Sequence, residues 1–276
     1  MRSFLFVPGS KPERFAKALA AGADAVIVDL EDAVADADKA SAREHVADAA
    51  RTFVAAPVRV LLRINGAGTQ WFEDDLSLAV LDGIDGIVLP KAENSAALTA
   101  VATATQKPIW PIIESAEGVW NALEVARMPG VERLIFGSVD FELDLDCDGS
   151  WDALLHARSR IVLASRVAGI QSPVDGVTVA INDERQLAED SSKARSLGFG
   201  GKLCIHPRQV EAVNAAFSPS ADEIAKARRI VEAYERAEGG AVSVDGRMVD
   251  LPVLLKARRI VGLSEKTESV RGSVEA

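Results

Sequence analysis

Eight short runs rich in aliphatic and β-branched residues punctuate this chain, and each gives way to a longer stretch with helical spacing. The runs lie near Phe4 to Pro8, Ala25 to Leu30, Val58 to Asn65, Gly86 to Pro90, Ile109 to Glu114, Arg133 to Gly137, Gly176 to Ile181 and Lys202 to His206. Strands separated by helices are joined by crossovers, which makes them parallel and demands helices over the sheet's outer face. Eight repeats of that unit point to a closed (β/α)8 TIM barrel, which needs roughly 250 residues, with an open doubly wound sheet as the alternative. The chain has 276 residues. No G-x-G-x-x-G follows a strand, which weakens the dinucleotide-binding form of the open sheet. Between the runs, Ala40 to Ala55 sets Val46, Ala49, Ala50, Phe53 and Val54 on one face, as a helix against a sheet requires.

The barrel is expected to occupy residues 1–215. Asp222 to Glu238 then reads as a charged amphipathic helix with Ile224, Ala227, Ile230, Val231 and Tyr234 inward, closed by Gly239-Gly240. Ala241 to Val249 has the pattern of a tight hairpin turning at Asp245-Gly246, and Asp250 and Pro252 lead into a last helix ending at about Leu263. Residues 216–263 are therefore expected to form a C-terminal helix and hairpin extension suited to packing on a neighbouring subunit. The polar residues 264–276 are expected to be a disordered tail.

Composition excludes several partners. Lys and Arg total 31 against 41 Asp and Glu, a net charge of -10, which argues against nucleic acid or another polyanion. The apolar run at Met1 to Val7 is too short for a signal peptide and is broken by Pro8-Gly9, and no run approaches the roughly 18 apolar residues of a membrane span. A cytoplasmic protein is expected. Cys147 and Cys204 form no CxxC pair and read as ordinary reduced thiols.

In such a barrel the chemistry sits at the C-terminal ends of the strands. There the sequence places Asp29-Leu30-Glu31-Asp32, Arg63-Ile64-Asn65, Lys91 with Glu93, Glu114-Ser115, Gly137-Ser138-Val139-Asp140 and His206-Pro207. Several carboxylates meeting at one barrel mouth need counter-charge beyond Arg63 and Lys91, and a divalent cation supplies it. Glu114 and Asp140, ending successive apolar strands, are the expected ligand pair, because Mg2+ takes one or two protein carboxylates and fills its other positions with water and substrate. For Asp32, Glu93 and Glu117, capping of the next helix explains an acid equally well. Arg63 offers a planar fork suited to a substrate carboxylate or keto acid. Lys91 reads as a charge-balancing neighbour rather than a nucleophile, as do Glu31 and Asp32.

At these residues the chain resembles the citrate lyase β-subunit family, within the HpcH/HpaI superfamily of metal-dependent aldolases and CoA-ester lyases that includes malyl-CoA and citramalyl-CoA lyases. The resemblance runs in order through Phe6-Val7-Pro8-Gly9-Ser10, Asp29 to Val34, Lys39 with Ala42-Arg43, Arg63-Ile64-Asn65, Leu89 to Glu93, Ile113-Glu114-Ser115, Gly137 with Asp140, Gly201-Lys202 with Cys204 to Pro207, and Met248-Val249-Asp250 with Pro252. It implies a TIM barrel, Mg2+ on Glu114 and Asp140, Arg63 on substrate oxygens, and a CoA or acyl-carrier arm across the barrel mouth. It also implies a homo-oligomer, commonly a trimer, in which Asp250 reaches the neighbouring subunit's site as an acid or base. From the residues alone, Asp250 is a helix N-cap. The chain departs from the family at Val139, where members often carry Glu before the aspartate, and in the acidic stretch Phe141 to Cys147 that follows.

The expected reaction is a retro-Claisen cleavage, or its reverse, of a 3-hydroxyacyl-CoA of the malyl, citramalyl or citryl type, giving acetyl-CoA and a 2-oxo acid. Backbone N–H groups near Gly137 and Ser138 are placed to receive the oxo-acid carboxylate. Lys11 and Arg14, and less so Lys17, are candidates for the CoA phosphates. His206 is as readily a structural hydrogen-bonding residue as a catalytic one. Two other readings stand beside this one: a metal-dependent pyruvate-class aldolase on free hydroxy-keto acids, and a catalytically silent metabolite-binding barrel or subunit of a lyase complex.

Overall fold

Alternation of side chains along each strand settles how the barrel is filled and what reaches its rim. The computed structural model describes residues 1–237 and 242–272, with side chains described as far as residue 264. Strands β1 (Ser3–Pro8), β2 (Ala25–Asp29), β3 (Arg59–Arg63), β4 (Gly86–Leu89), β5 (Ile109–Ile113), β6 (Ile135–Phe136), β7 (Val174–Asp175) and β8 (Gly201–Cys204) pair in chain order as a closed parallel barrel. The circle closes where Phe4 lies opposite Leu203.

Phe4, Ala25, Ile27, Leu61, Val88, Trp110, Ile112, Ile135, Val174 and Leu203 pack together inside. Their neighbours in sequence, such as Val26, Val28, Val60, Leu62, Ile87 and Leu89, join the larger cluster between barrel and helices. Gly86 is required by this filling, because a Cβ there would run into the Trp110 ring. Arg133, two residues before inward-facing Ile135, is buried at the N-terminal end. It donates to the carbonyls of Met1, Ser172 and Pro173, and its guanidinium lies 5.3 Å from the Phe4 ring.

Outside lie α1 (Phe15–Leu19), α2 (Lys39–Val54), α3 (Phe72–Leu76), α4 (Ser95–Ala104), α5 (Ala116–Trp120), α6 (Ala122–Ala126), α7 (Ser138–Leu145), α8 (Trp151–Ala168), α9 (Glu184–Leu197) and α10 (Arg208–Ala216). Helix α2 buries Lys39, Ala42, Val46 and Phe53, whereas Val54, expected on that face, is exposed because it lies one helical step past Phe53. An ion-pair network crosses from sheet to helix: Asp175 receives Arg158 Nε at 2.9 Å and Lys202 Nζ at 3.2 Å, all three residues buried. Such a network adds specificity of packing more than stability, but loss of one member would cost about 3–5 kcal/mol.

The seventh strand differs from the expectation of Gly176 to Ile181. It is formed by Val174–Asp175, and Val179 and Ile181 lie exposed in the following loop. Those residues have β propensity, but Val174 and Asp175 are the ones that find partners, opposite Gly201 and Lys202.

The chain divides into two compact units, Met1–Phe217 and Ser218–Ala276. In the second, α11 (Ala221–Arg236) starts with a capping box between Ser220 and Glu223 and buries Ala227 and Ile230. Strands β9 (Val242–Val244) and β10 (Arg247–Val249) form a hairpin whose turn residues Asp245 and Gly246 both have positive φ, as an Asp-Gly turn should. Glu238 to Ala241, expected to end the helix and open the hairpin, lie outside the described residues. Helix α12 (Leu251–Gly272) runs past Leu263, so part of the expected tail is helical, its sequence holding no Pro or Gly between Leu263 and Gly272. Among the described residues no helix is long and apolar enough to cross a membrane.

The two thiols differ in environment. Cys204 is buried in the layer between barrel and helices, and burial pushes its thiol up to about 12, whereas Cys147 is partly exposed. Raised above the ordinary 9.0, the Cys204 thiol stabilises the folded state fully below that pH, a contribution lost as pH rises towards 12. Iodoacetamide at pH 8 is therefore expected to label Cys147 and spare Cys204 until denaturant is added, as peptide mass mapping would detect.

Candidate active site

The inward set of each strand continues onto the rim. Ala25 and Ile27 are followed by Asp29, Leu61 by Arg63, Ile112 by Glu114, and Ile135 by Gly137. These residues line one open cleft of about 770 Å3 at the C-terminal ends of the strands, together with Asp32, Ser138, Val139, Asp140 and His206. Alternation alone thus carries an apolar barrel core into a charged mouth.

Arg63 is buried and already engaged. Asp29, its register partner on β2, accepts from Nε at 2.7 Å and from Nη2 at 2.6 Å in a two-pronged pair. Nη1 lies 2.8 Å from Glu31 Oε2 and 3.5 Å from Asp32 Oδ2, and the guanidinium sits 4.8 Å from the centre of the Phe6 ring. Burial opposes the charge, but Asp29, Glu31 and Asp32 together more than offset it, so the guanidinium pKa is raised. The fork expected to grasp substrate is therefore held by Asp29. Arg63 acts on the cleft as a fixed positive charge with its remaining N–H edge.

The loop after β2 is tied down from two sides. Asp29 accepts the N–H groups of Glu31 and Ala33. Lys39, buried, donates to the carbonyls of Leu30 at 2.8 Å and Glu31 at 2.7 Å and to Asn65 Oδ1 at 2.8 Å. Asn65 in turn is held by Asp75, which pairs with Arg43. The sequence placed Asp29 at a strand end and Lys39 within the family resemblance but gave neither a role in the site. The inward alternation on β2 was the available signal for Asp29, whereas nothing in the spacing marks Lys39.

Glu31 and Lys91 stand behind the cleft lining, with Lys91 Nζ 3.5 Å from Glu31 Oε1. Lys91 has φ 49°, a left-handed conformation uncommon outside glycine, and this turns its N–H onto Glu114 Oε1 at 2.6 Å. Gly137 completes the enclosure of Glu114, since a Cβ there would stand 2.5 Å from Glu114 Oε2. Burial pushes the Glu114 carboxyl up to about 8, with Glu31 and Asp140 adding to the shift while the Lys91 N–H and Arg63 oppose it. Burial likewise pushes Glu31 up to about 7, against the pull of Arg63. Its Oε2 is near enough to Arg63 for charge attraction yet has no aligned hydrogen bond. The cleft thus holds more negative charge than its own cations neutralise, and Glu114 with Asp140 has the oxygen-donor chemistry of a hard divalent cation site. Among the described residues no group of three or more His, Cys, Asp or Glu is gathered that could hold a metal ion.

The remaining candidates are distributed as follows. Arg14 and Lys17 line the cleft, and Lys11 is exposed on the same connection without lining it. Helix α7 opens at Gly137 with no side-chain cap, leaving the N–H groups of its first turn free of one, and Gly137, Ser138, Val139 and Asp140 all border the cleft. His206 lines it too, but its Nδ1 accepts from Arg208 N at 3.2 Å, the structural role. Glu93 accepts from Ser115, whose hydroxyl caps α5, so Glu93 supports a cap without being one. In the second unit, Asp250 accepts Val253 N at 3.2 Å as the cap of α12.

Relatives match this chain over nearly its whole length. A citrate lyase subunit beta-like protein of Deinococcus radiodurans is 40% identical, covering 95% of this chain and 96% of its own. A (3S)-malyl-CoA thioesterase of Cereibacter sphaeroides is 36% identical over 99% of this chain and 97% of its own. The solved structure of CitE from Mycobacterium tuberculosis, in complex with magnesium, acetoacetate and coenzyme A, superposes with a TM-score of 0.82 at 36% identity, covering 95% of this chain and 98% of that one. The HpcH/HpaI aldolase/citrate lyase family model matches residues 2–207, the whole run of strand ends that builds the cleft, and the chain belongs to that family.

Proposed function

We propose that this protein is a Mg2+-dependent carbon–carbon lyase that cleaves, or forms, a 3-hydroxyacyl-CoA thioester of the malyl, citramalyl or citryl type. The observation that carries the reading is the convergence of the Glu114 and Asp140 carboxylates with a fixed Arg63 on one cleft at the strand ends. Support comes also from relatives that include a citrate lyase subunit beta of Leuconostoc mesenteroides and a (3S)-malyl-CoA thioesterase, and from the CitE structure with magnesium and coenzyme A.

In this reading Glu114 and Asp140 hold the metal. The cation supplies Lewis acidity, lowering the cost of negative charge on the oxygen that becomes the oxo-acid carbonyl. Arg63, locked by Asp29, adds a second positive charge without having to reorganise during the reaction. The first-turn N–H groups of α7 receive the single carboxylate beside the hydroxyl-bearing carbon. Arg14 and Lys17, with Lys11 on the same connection, meet the CoA phosphates. In cleavage the hydroxyl proton passes to solvent water as the carbon–carbon bond towards the thioester breaks and its electron pair forms an enolate, which takes up one proton at carbon to give acetyl-CoA beside the 2-oxo acid. Asp250 of a neighbouring copy is the proposed acid for that carbon, which makes the active form a homo-oligomer, by the family pattern a trimer.

Three outcomes are expected. Glu114→Gln or Asp140→Asn should each reduce Mg2+-dependent cleavage of malyl- and citramalyl-CoA by about 10²-fold or more, the far end of the range for tuning a metal site. Full activity in either variant would sink the metal assignment, and cleavage of free acids but not thioesters would favour the pyruvate-class aldolase. Asp29→Asn, which leaves the Arg63 geometry but removes its counter-charge, should lower kcat about 10-fold to 100-fold, measured by steady-state kinetics. If Asp250 acts in trans, mixing inactive Asp250→Ala with inactive Glu114→Gln should restore part of the activity through hybrid oligomers.

A further inference from the structure

Trp120 ends α5 with its side chain 75% exposed, although a tryptophan that serves a core is largely covered. The ring is nevertheless held. Arg160 of α8 donates from Nε to the Val119 carbonyl at 2.7 Å and from Nη2 to the Trp120 carbonyl, and its guanidinium lies 5.1 Å from the centre of the Trp120 ring. An aromatic side chain pinned by a cation while open to water has lost part of its freedom before any partner arrives, which lowers the cost of binding. Tryptophan and arginine are also the residues on which association energy concentrates.

Trp120 borders a groove of about 450 Å3 that Leu123, Glu124, Arg127 and Met128 help to line. Helix α6 packs beside α8. On α8, Leu163 and Val167 follow Arg160 by three and seven residues, which puts them on its side of the helix, and they are 64% and 60% exposed. Single exposed aliphatic residues are ordinary, but here they adjoin Trp120, Leu123 and Met128 as one apolar face on the outside of the barrel. None of these residues lines the cleft at the strand ends.

The charges on this face show what covers it. Glu124 and Arg127 are exposed one helical turn apart, and among the described residues neither side chain makes an ion pair or a hydrogen bond. Such a face is complementary to itself, because rotation about a twofold axis brings Glu124 of one copy to Arg127 of the other, twice. The chain carries a net charge of -10, so most contacts between two copies set like charges together, whereas Glu124 and Arg127 cancel here.

We propose that this face is an isologous contact with a second copy of the chain, in which each Trp120 ring enters the other copy's groove while Glu124 and Arg127 pair across the axis. The contact uses helices of the barrel alone and depends neither on the lyase reading nor on Asp250. It joins copies two at a time, so a ring assembled through Asp250 would be joined by it to a second ring.

Sedimentation equilibrium of the full chain tests this contact. The mass is expected to correspond to an even number of copies. Trp120→Ala should weaken the pairing about 30-fold or more, and Arg127→Glu about 10-fold, each read as a mass that falls by half on dilution. Glu124→Arg combined with Arg127→Glu should restore the pairing, because exchanging both charges recreates the match only where the face meets itself. Glu124 and Arg127 are solvent-exposed, so the charge variants are expected to fold even if Trp120→Ala does not, as circular dichroism melts would show. An odd number of copies, a mass indifferent to Arg127→Glu, or a double exchange that leaves the pairing broken would overturn the proposal.

Discussion

Asp29 and Arg63 face each other across neighbouring strands, in register, both pointing into the barrel. A buried guanidinium paired in two places is hard to move, because swinging it free would strand both charges away from water. Its position then fixes what surrounds it. Glu31 lies against Nη1, the loop after β2 is bonded to the Asp29 carboxylate, and the Phe6 ring closes over the guanidinium. The charged half of the mouth is therefore rigid before any ligand arrives, which is what electrostatic stabilisation of a developing charge requires.

The electrostatics of the mouth are deliberately unbalanced. Lys91 and Arg63 offset part of the charge of Glu31, Asp32, Glu114 and Asp140, and burial first, with the neighbouring acids adding to it, raises the Glu114 and Glu31 pKa values. The buried network of Arg158, Asp175 and Lys202 on the outer side of the sheet makes the contrast clear. There one carboxylate meets two cations, Lys202 also donates to the Gly176 carbonyl, and the Arg158 guanidinium lies against the Phe136 and Trp151 rings. An excess of cations enclosed between sheet and helix differs from an excess of carboxylates at an open cleft, and the second is the candidate ligand site.

How much of this was legible in the sequence depended on which physical signal each residue carried. Glu114 and Arg63 each end an apolar strand, so a period of two followed by one charge was enough to bring them to the rim, whereas Asp140, expected at the end of strand six, reaches it from the first turn of α7. Eight alternating units conveyed the barrel for the same reason, and Asp245-Gly246 its hairpin, because that turn needs two positive φ values. Strand seven was misplaced since Val179 and Ile181 have strand propensity, while pairing with Gly201 and Lys202 selected the segment just before them. Lys39 was missed as a support because its role comes from carbonyls of another element, Leu30 and Glu31, which no spacing records. The commitment of the Arg63 fork to Asp29 was hidden likewise, since register between strands is not written in either strand alone.

Lys91 couples to its surroundings in two ways with different physics. Its left-handed backbone gives an N–H to Glu114, a bond set by chain geometry that any side chain able to tolerate that conformation would keep. Its ammonium reaches Glu31 across 3.5 Å from a largely solvent-exposed position. That second link is the kind that salt weakens and side-chain entropy dilutes. One residue thus anchors one carboxylate independently of ionic strength and tunes another in proportion to it, so the medium can change the charge balance of the mouth without disturbing its shape.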